Sequence, residues 1–182
     1  MAVELSDLEN DMQVMDYVVT NLLKQGEKSV ESFMNYDTDE YEPSGDCVYR
    51  GFIRDDDGQI IDTLKCAVGH IIDDEVYDEQ LESQTVDNTH VLDAVKVSCE
   101  NWEVTDNSLG MLKVLQRVHD MIDPEQWETY FTYIRRDILD EFDGRSIMSS
   151  ESATPYAQTL TRFQKDIKLN EHVFGNYPKI EL

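Results

Sequence analysis

Apolar residues recur at helical spacing along most of this chain. Leu8, Met12, Met15, Val19 and Leu22 follow at steps of four, three, four and three, which places them on one face of an α-helix. Ser6 with Glu9 three residues on predicts a capping box at its start, and Gly26 predicts its end. Residues 27–35 suggest a short helical turn. Residues 36–46 gather Asp37, Asp39, Glu40, Glu42 and Asp46 around Pro43, Ser44 and Gly45, which reads as an acidic loop. Residues 47–53 and 59–66 then look like strands flanking Asp55-Asp56-Asp57-Gly58, a turn sequence, so a β-hairpin is expected.

Beyond the hairpin the helical period returns. Asp73 or Asp74 caps a short acidic helix with Val76, Tyr77 and Leu81 on one side, and Val91, Leu92, Val95 and Cys99 mark another. Leu112, Leu115, Val118, Met121 and Ile122 form one stripe. Asp123-Pro124-Glu125-Gln126 then sets a cap, a first-turn proline and an acidic first turn before Trp127, Phe131, Ile134, Ile138 and Phe142, with Gly144 as the stop. Residues 146–154 are a Ser-rich break, and Leu160, Phe163 and Ile167 predict a final helix over 156–169 before an extended tail. The expected fold class is α+β, mainly helical, with one β-hairpin and about five helices. Residues 1–150 would form an acidic α+β core domain, with residues 151–182 a C-terminal helix and tail packed on it or extending from it.

Charge changes this picture. The formal net charge is −24 on 182 residues, yet beyond residue 150 Arg162, Lys165, Lys168 and Lys179 balance Glu151, Asp166, Glu171 and Glu181, so the whole excess lies in residues 1–150. Such a polyanion repels nucleic acid and anionic membranes and attracts basic protein surfaces over a Debye length of about 8 Å. Nine Tyr, six Phe and two Trp argue for a packed core beneath those acids and against a disordered acidic tail. Three cysteines, an odd number, point to a reducing compartment. The acidic start of the chain reads as no signal peptide, and no apolar run is long enough to span a bilayer.

Candidate chemistry is sparse. Cys47 and Cys66 on facing hairpin strands, with His70 and Cys99, lack the close ligand pairs of a structural zinc site, and two small buried hydrophobes are the better reading. A Cys66–His70 nucleophile and base lacks an orienting group and anion donors. Residues 53–64 imitate a calcium loop through Asp55, Asp57, Gly58 and Ile60, but Ile53 and Leu64 stand where the terminal carboxylates belong. His119-Asp120 could suggest an acid–base pair, but adjacent helical residues point about 100° apart, so His119 is expected simply to cap the core near the helix end, and Arg135 and Arg136 to be salt-bridged among Asp137, Asp140 and Glu141. No catalytic residue, metal ligand or cofactor is expected. Arg50 and Lys65, with His70 just beyond, would form a basic island if strand register brings them together.

Cys47-x-Tyr49-Arg50, then Lys65-Cys66-Ala67-Val68-Gly69 and Asp73-Asp74-Glu75-x-Tyr77, followed by Leu115-Gln116-x-x-His119-Asp120 and Trp127, resembles an uncharacterised family of small bacteriophage-encoded proteins. The chain departs from that pattern in a longer hairpin over residues 51–62 and in Asp73, where proline is usual. The resemblance implies a phage origin and action in the cytoplasm of an infected bacterial host. It implies no particular activity.

The expected function is a non-catalytic acidic protein that binds and inhibits a host defence or nucleic-acid-binding protein, by presenting carboxylates at spacings comparable to phosphates. Its partner would be a host protein with a basic surface, with no direct contact to nucleic acid or membrane. The expected contact residues are Asp37, Asp39, Glu40, Glu42, Asp55, Asp56, Asp57, Asp73, Asp74, Glu75, Asp78, Glu79 and Glu82. The bland counterpart is an acidic surface serving solubility alone. The alternative is a sponge for a nucleotide immune signal, with Arg50, Lys65 and His70 on phosphate and Tyr49 or Tyr77 stacking on a base, in a basic pocket at a homo-oligomer interface.

Overall fold

A computed structural model of the chain describes residues 3–35, 40–55 and 57–142. The elements run α1 (Asp11–Gln25), β1 (Val30–Asn35), β2 (Glu40–Cys47), β3 (Arg50–Arg54), β4 (Ile60–Lys65), α2 (Thr89–Ser98), α3 (Asp106–Met121) and α4 (Trp127–Phe142), with short 3-10 turns between them. The architecture is α+β. The final helix over 156–169, the stop at Gly144 and the tail lie outside the described residues.

Local capping explains where the helices begin. Asn10, not Ser6, caps α1: its side chain accepts from the Gln13 amide, and the expected Ser6–Glu9 box is replaced by a Glu4–Asp7 box around a 3-10 turn. Gly26 ends α1 at φ +69, a left-handed conformation that glycine adopts without steric cost. Asn88 caps α2, and Thr105 shares a capping box with Ser108 at the start of α3. Asp123-Pro124 starts a 3-10 turn that runs directly into α4.

The expected hairpin forms, but it has a companion. β3 and β4 pair antiparallel with Arg50 opposite Lys65 and Gly51 opposite Leu64. The helical turn expected over 27–35 is strand β1, and most of the expected acidic loop is β2, which pairs with β1 across an irregularity between Val30 and Ser32. Cys47 therefore ends β2 and does not face Cys66 across the β3–β4 hairpin. The two hairpins meet where Gly51 lies against β1. A Cβ at Gly51 would come within 2.8 Å of the Val30 carbonyl oxygen, so only a residue without a side chain allows that approach.

The acidic helix expected from Asp73 is also absent. Residues 73–82 run through turns, with one 3-10 turn at Glu79–Leu81. Short side chains here bond to their own backbone in place of a helical ladder: Asp73 accepts from the Glu75 amide and Asp78 from the Gln80 amide.

The core lies where α1, α3 and α4 pack on one another and on residues 66–72. Val14, Met15, Val18 and Leu22 of α1 meet Met111, Leu112, Leu115 and Val118 of α3 and Trp127, Phe131 and Ile134 of α4, all buried. Val91, Val95 and Cys99 add the inner face of α2. The side chains of Ile138 and Phe142, expected on the same stripe of α4, lie outside the described residues. Among the described residues no helix is long and apolar enough to cross a membrane.

Candidate functional site

Ser29, between α1 and β1, is fully buried and every polar atom on it is engaged. Its amide donates to His119 Nε2 at 3.0 Å, and its hydroxyl donates to the Leu64 carbonyl while accepting from the Gly51 amide. Its carbonyl accepts from the Val48 amide and from the Cys47 thiol. One serine thus ties both hairpins to α3.

His119 carries this junction into a cluster with Cys47 and Asp120. The Cys47 Sγ and Asp120 Oδ1 lie 3.1 and 3.0 Å from His119 Nδ1, and Gln116 Nε2 donates to Asp120 Oδ1. The three ligand-type atoms fall within 4.8 Å of one another, a spacing that would suit a metal ion. The hydrogen-bond polarity argues otherwise. A backbone amide always donates, so His119 Nε2 is an acceptor and the ring proton sits on Nδ1, directed at Asp120 and Cys47. A metal on Nδ1 would require the proton on Nε2, pointing into the Ser29 N–H. Burial, then the neighbouring Cys66 and Asp120, pushes the Cys47 thiol up, which leaves it protonated and a poor nucleophile. Burial raises the Asp120 carboxyl, but hydrogen bonds from His119 and Cys47 outweigh it and hold the group below its ordinary value. The cluster is a structural junction. His119 is fully buried, as a core-capping residue should be, with its ring against Trp127 at 5.3 Å between centroids, but contrary to the expectation from helical spacing it also pairs with the adjacent Asp120.

The cluster opens onto a cleft of about 460 Å³. Cys47, Tyr49 and Cys66 form its floor, Ser83 to Asp87 one rim, and Lys113, Gln116, Arg117, Asp120 and Met121 of α3 the other. Lys113 Nζ bonds Asp87 Oδ2 at 2.8 Å across it; that bond, with one from Thr85, holds the Asp87 carboxyl down at about 2. Ser83 has φ +62, the one left-handed residue other than glycine among those described. Three stretches far apart in sequence, residues 47–49, 66 and 116–120, supply Cys47, Tyr49, Cys66, Gln116 and Asp120 to this one cleft.

The expected basic island assembles beside it. Arg50 and Lys65 are direct partners across β3 and β4, and both reach Asp74, at 2.6 and 2.7 Å. The Lys65 hydrogen bond is the main reason that Asp74 is held below the ordinary carboxylate range. Arg50 also stacks on Tyr77, 3.9 Å from the ring centroid. Glu82 turns inward: it accepts from the Tyr49 and Arg50 amides and from the Tyr77 hydroxyl. His70 stands apart, its Nε2 buried without a partner, and burial, then Lys65 and His119, lowers its pKa to about 4. Of the five residues proposed to grip a nucleotide, Tyr49 lines the cleft; Arg50, Lys65, His70 and Tyr77 do not.

The expected acidic contacts divide by place. Asp55 accepts from the Asp57 and Gln59 amides and shapes the hairpin turn, with Asp57 exposed beside it. Asp74, Glu75, Asp78 and Glu79 are exposed, and Asp73 and Glu82 are half-buried. Asp37, Asp39 and Asp56, and the side chains of Glu40 and Glu42, lie outside the described residues, as does the side chain of Arg136. Arg135 pairs with Asp16 of α1 at 3.0 Å, while the side chains of Asp137, Asp140 and Glu141 lie outside the described residues. Sequence reasoning missed Arg117, Lys113 and Gln116 as cleft residues, although their spacing of three and four on the polar side of the α3 stripe was a signal for a shared face. No protein-family model, curated protein or solved structure matches the chain.

Proposed function

We propose that this chain is a non-catalytic acidic protein that occupies a basic surface on a host protein, and that residues 73–82 are its main contact. The observation that carries the reading is the fate of the six acids there. Asp74 takes Arg50 and Lys65, and Glu82 is turned inward. Glu75, Asp78 and Glu79 are left exposed, and none forms a salt bridge among the described residues. The backbone beneath them is pinned at one end by Ser98, which accepts from the Asp73 amide, and at the other by Glu82. Carboxylates held on a fixed backbone meet a basic groove at little ordering cost, and the surrounding negative field steers the encounter. A surface that evolved to bind phosphates is the natural target, which fits action against host nucleic-acid-binding or defence proteins in an infected bacterium.

The test is an affinity capture from infected cells with the full chain as bait, at about 0.05 M and about 0.5 M salt, where screening lengths differ roughly threefold. One host protein recovered at low salt, lost at high salt, and lost with the triple variant Glu75→Lys, Asp78→Lys, Glu79→Lys is the expected result. Recovery that ignores both salt and charge reversal would refute the reading.

A further inference from the structure

Arg117 is an anomaly in a chain of net charge −24. Among the described residues Arg50 and Arg135 are paired with acids and Arg54 bonds the Gly58 carbonyl, whereas Arg117 has neither hydrogen bond nor ion pair. Its Nε is buried without a partner, as are those of Arg50 and Arg135, but those two arginines bond acids through a terminal nitrogen and Arg117 does not, and it lines the 460 Å³ cleft. A buried donor without an acceptor forfeits its hydration with no bond in return. Lys113 is engaged by Asp87, and Asp120 by His119 and Gln116, so neither acid of the cleft bonds the Arg117 guanidinium.

We propose that this cleft binds a small organic anion, with its carboxylate or phosphate on the Arg117 guanidinium and its apolar body against Tyr49, Val86 and Met121. The volume lies within the range of small-molecule sites, and the lining combines apolar walls with a few polar groups, Gln116 and Thr85 among them. A guanidinium presents paired N–H donors that match both oxyanions. The surrounding acids repel bulk anions, so the site favours a ligand whose apolar body adds contacts that a bare ion lacks. This site is separate from the Arg50–Lys65 pair and from the acidic segment, and it stands or falls independently of host-protein binding.

Titration of the full chain with phenyl phosphate, benzoate and inorganic phosphate, each against sodium chloride at matched ionic strength, tests it by following the Arg117 Nε–H signal in ¹H–¹⁵N spectra. Saturable shifts with phenyl phosphate or benzoate, at least about tenfold tighter than with inorganic phosphate, are expected. Whichever aromatic probe binds tighter tells a phosphate site from a carboxylate site. Arg117→Gln should weaken binding of that probe at least about tenfold, read from the remaining cleft signals. Met121→Trp, a change at a half-exposed residue on the rim, should block binding while leaving the rest of the spectrum in place. Shifts that follow chloride, or binding that survives both variants, would overturn the proposal.

Discussion

His70 shows how far one residue's surroundings set its chemistry. Its ring is largely buried beside Lys65 and His119, with Nε2 lacking a partner, and its folded pKa of about 4 lies below the 6.5 of a free imidazole. As pH falls from about 6.5 to about 4, the unfolded chain takes up a proton that the folded chain refuses. Stability is therefore complete above the upper value and falls through that window, by up to about 3 kcal/mol. Acid-induced losses from Asp74, Asp87 and Asp120, whose carboxyls are held low, fall below that window. Urea unfolding at about pH 7 and about pH 4.5 should show the drop in the native chain and a flatter profile in His70→Gln. Equal pH dependence in both would show that His70 is not the titrating group. Ser29 makes the complementary point, since nothing in its sequence context marks it, yet it satisfies buried groups from four segments at once.

Among elements, the most demanding fit is the turn after β4. Ala67, Val68, Ile71 and Ile72 are all fully buried, and Gly69 lies so close to the Tyr49 carbonyl that a Cβ would overlap it. Gly69→Ala should cost about 2–4 kcal/mol, because backbone and not a flexible side chain stands in the way. Gly26→Ala, at φ +69 with no atom within 4 Å, should cost only about 1 kcal/mol. Urea midpoints of the two variants measure the difference, and equal costs would mean that the turn yields easily. The Lys-Cys-Ala-Val-Gly run thus has a packing rationale. Other elements differ in how plainly they could be read. α1, α3, α4 and the β3–β4 hairpin were legible from their apolar period and, for α4 and the hairpin, from start and turn residues, whereas the caps of α1 and α3 were not. β1 and β2 were not: Glu40-Tyr41-Glu42-Pro43-Ser44-Gly45-Asp46 is poor in strand formers and carries Pro43 and Gly45, although its partner β1 lies only a few residues upstream. The helix expected after Asp73 failed because capping residues recur every few positions and each ends the turn it begins.

Over the whole molecule, the net charge of −24 sets self-repulsion against a core built mainly from three helices and the turn between them. The few described ion pairs are partly exposed and contribute at most about 1 kcal/mol each. Screening should therefore relieve more repulsion than attraction. Raising salt from about 0.01 M to about 0.5 M is expected to lift the melting temperature by about 5 °C, as calorimetry or circular dichroism would record. A melting temperature that falls would mean that attractive pairs dominate and that the acids are well compensated.

Period, caps and composition were enough to read the helical core, the β3–β4 hairpin and the strongly negative surface, because these depend on neighbours within a few residues and on charge counts. Tertiary structure decided that Ser29 meets His119, that Arg50 and Lys65 converge on Asp74, and that Arg117 lines a cleft whose two acids, Asp87 and Asp120, bond to other residues. Those outcomes turn on contacts between residues as many as 90 positions apart, and no local pattern encodes which buried donor finds its acceptor and which is left without one.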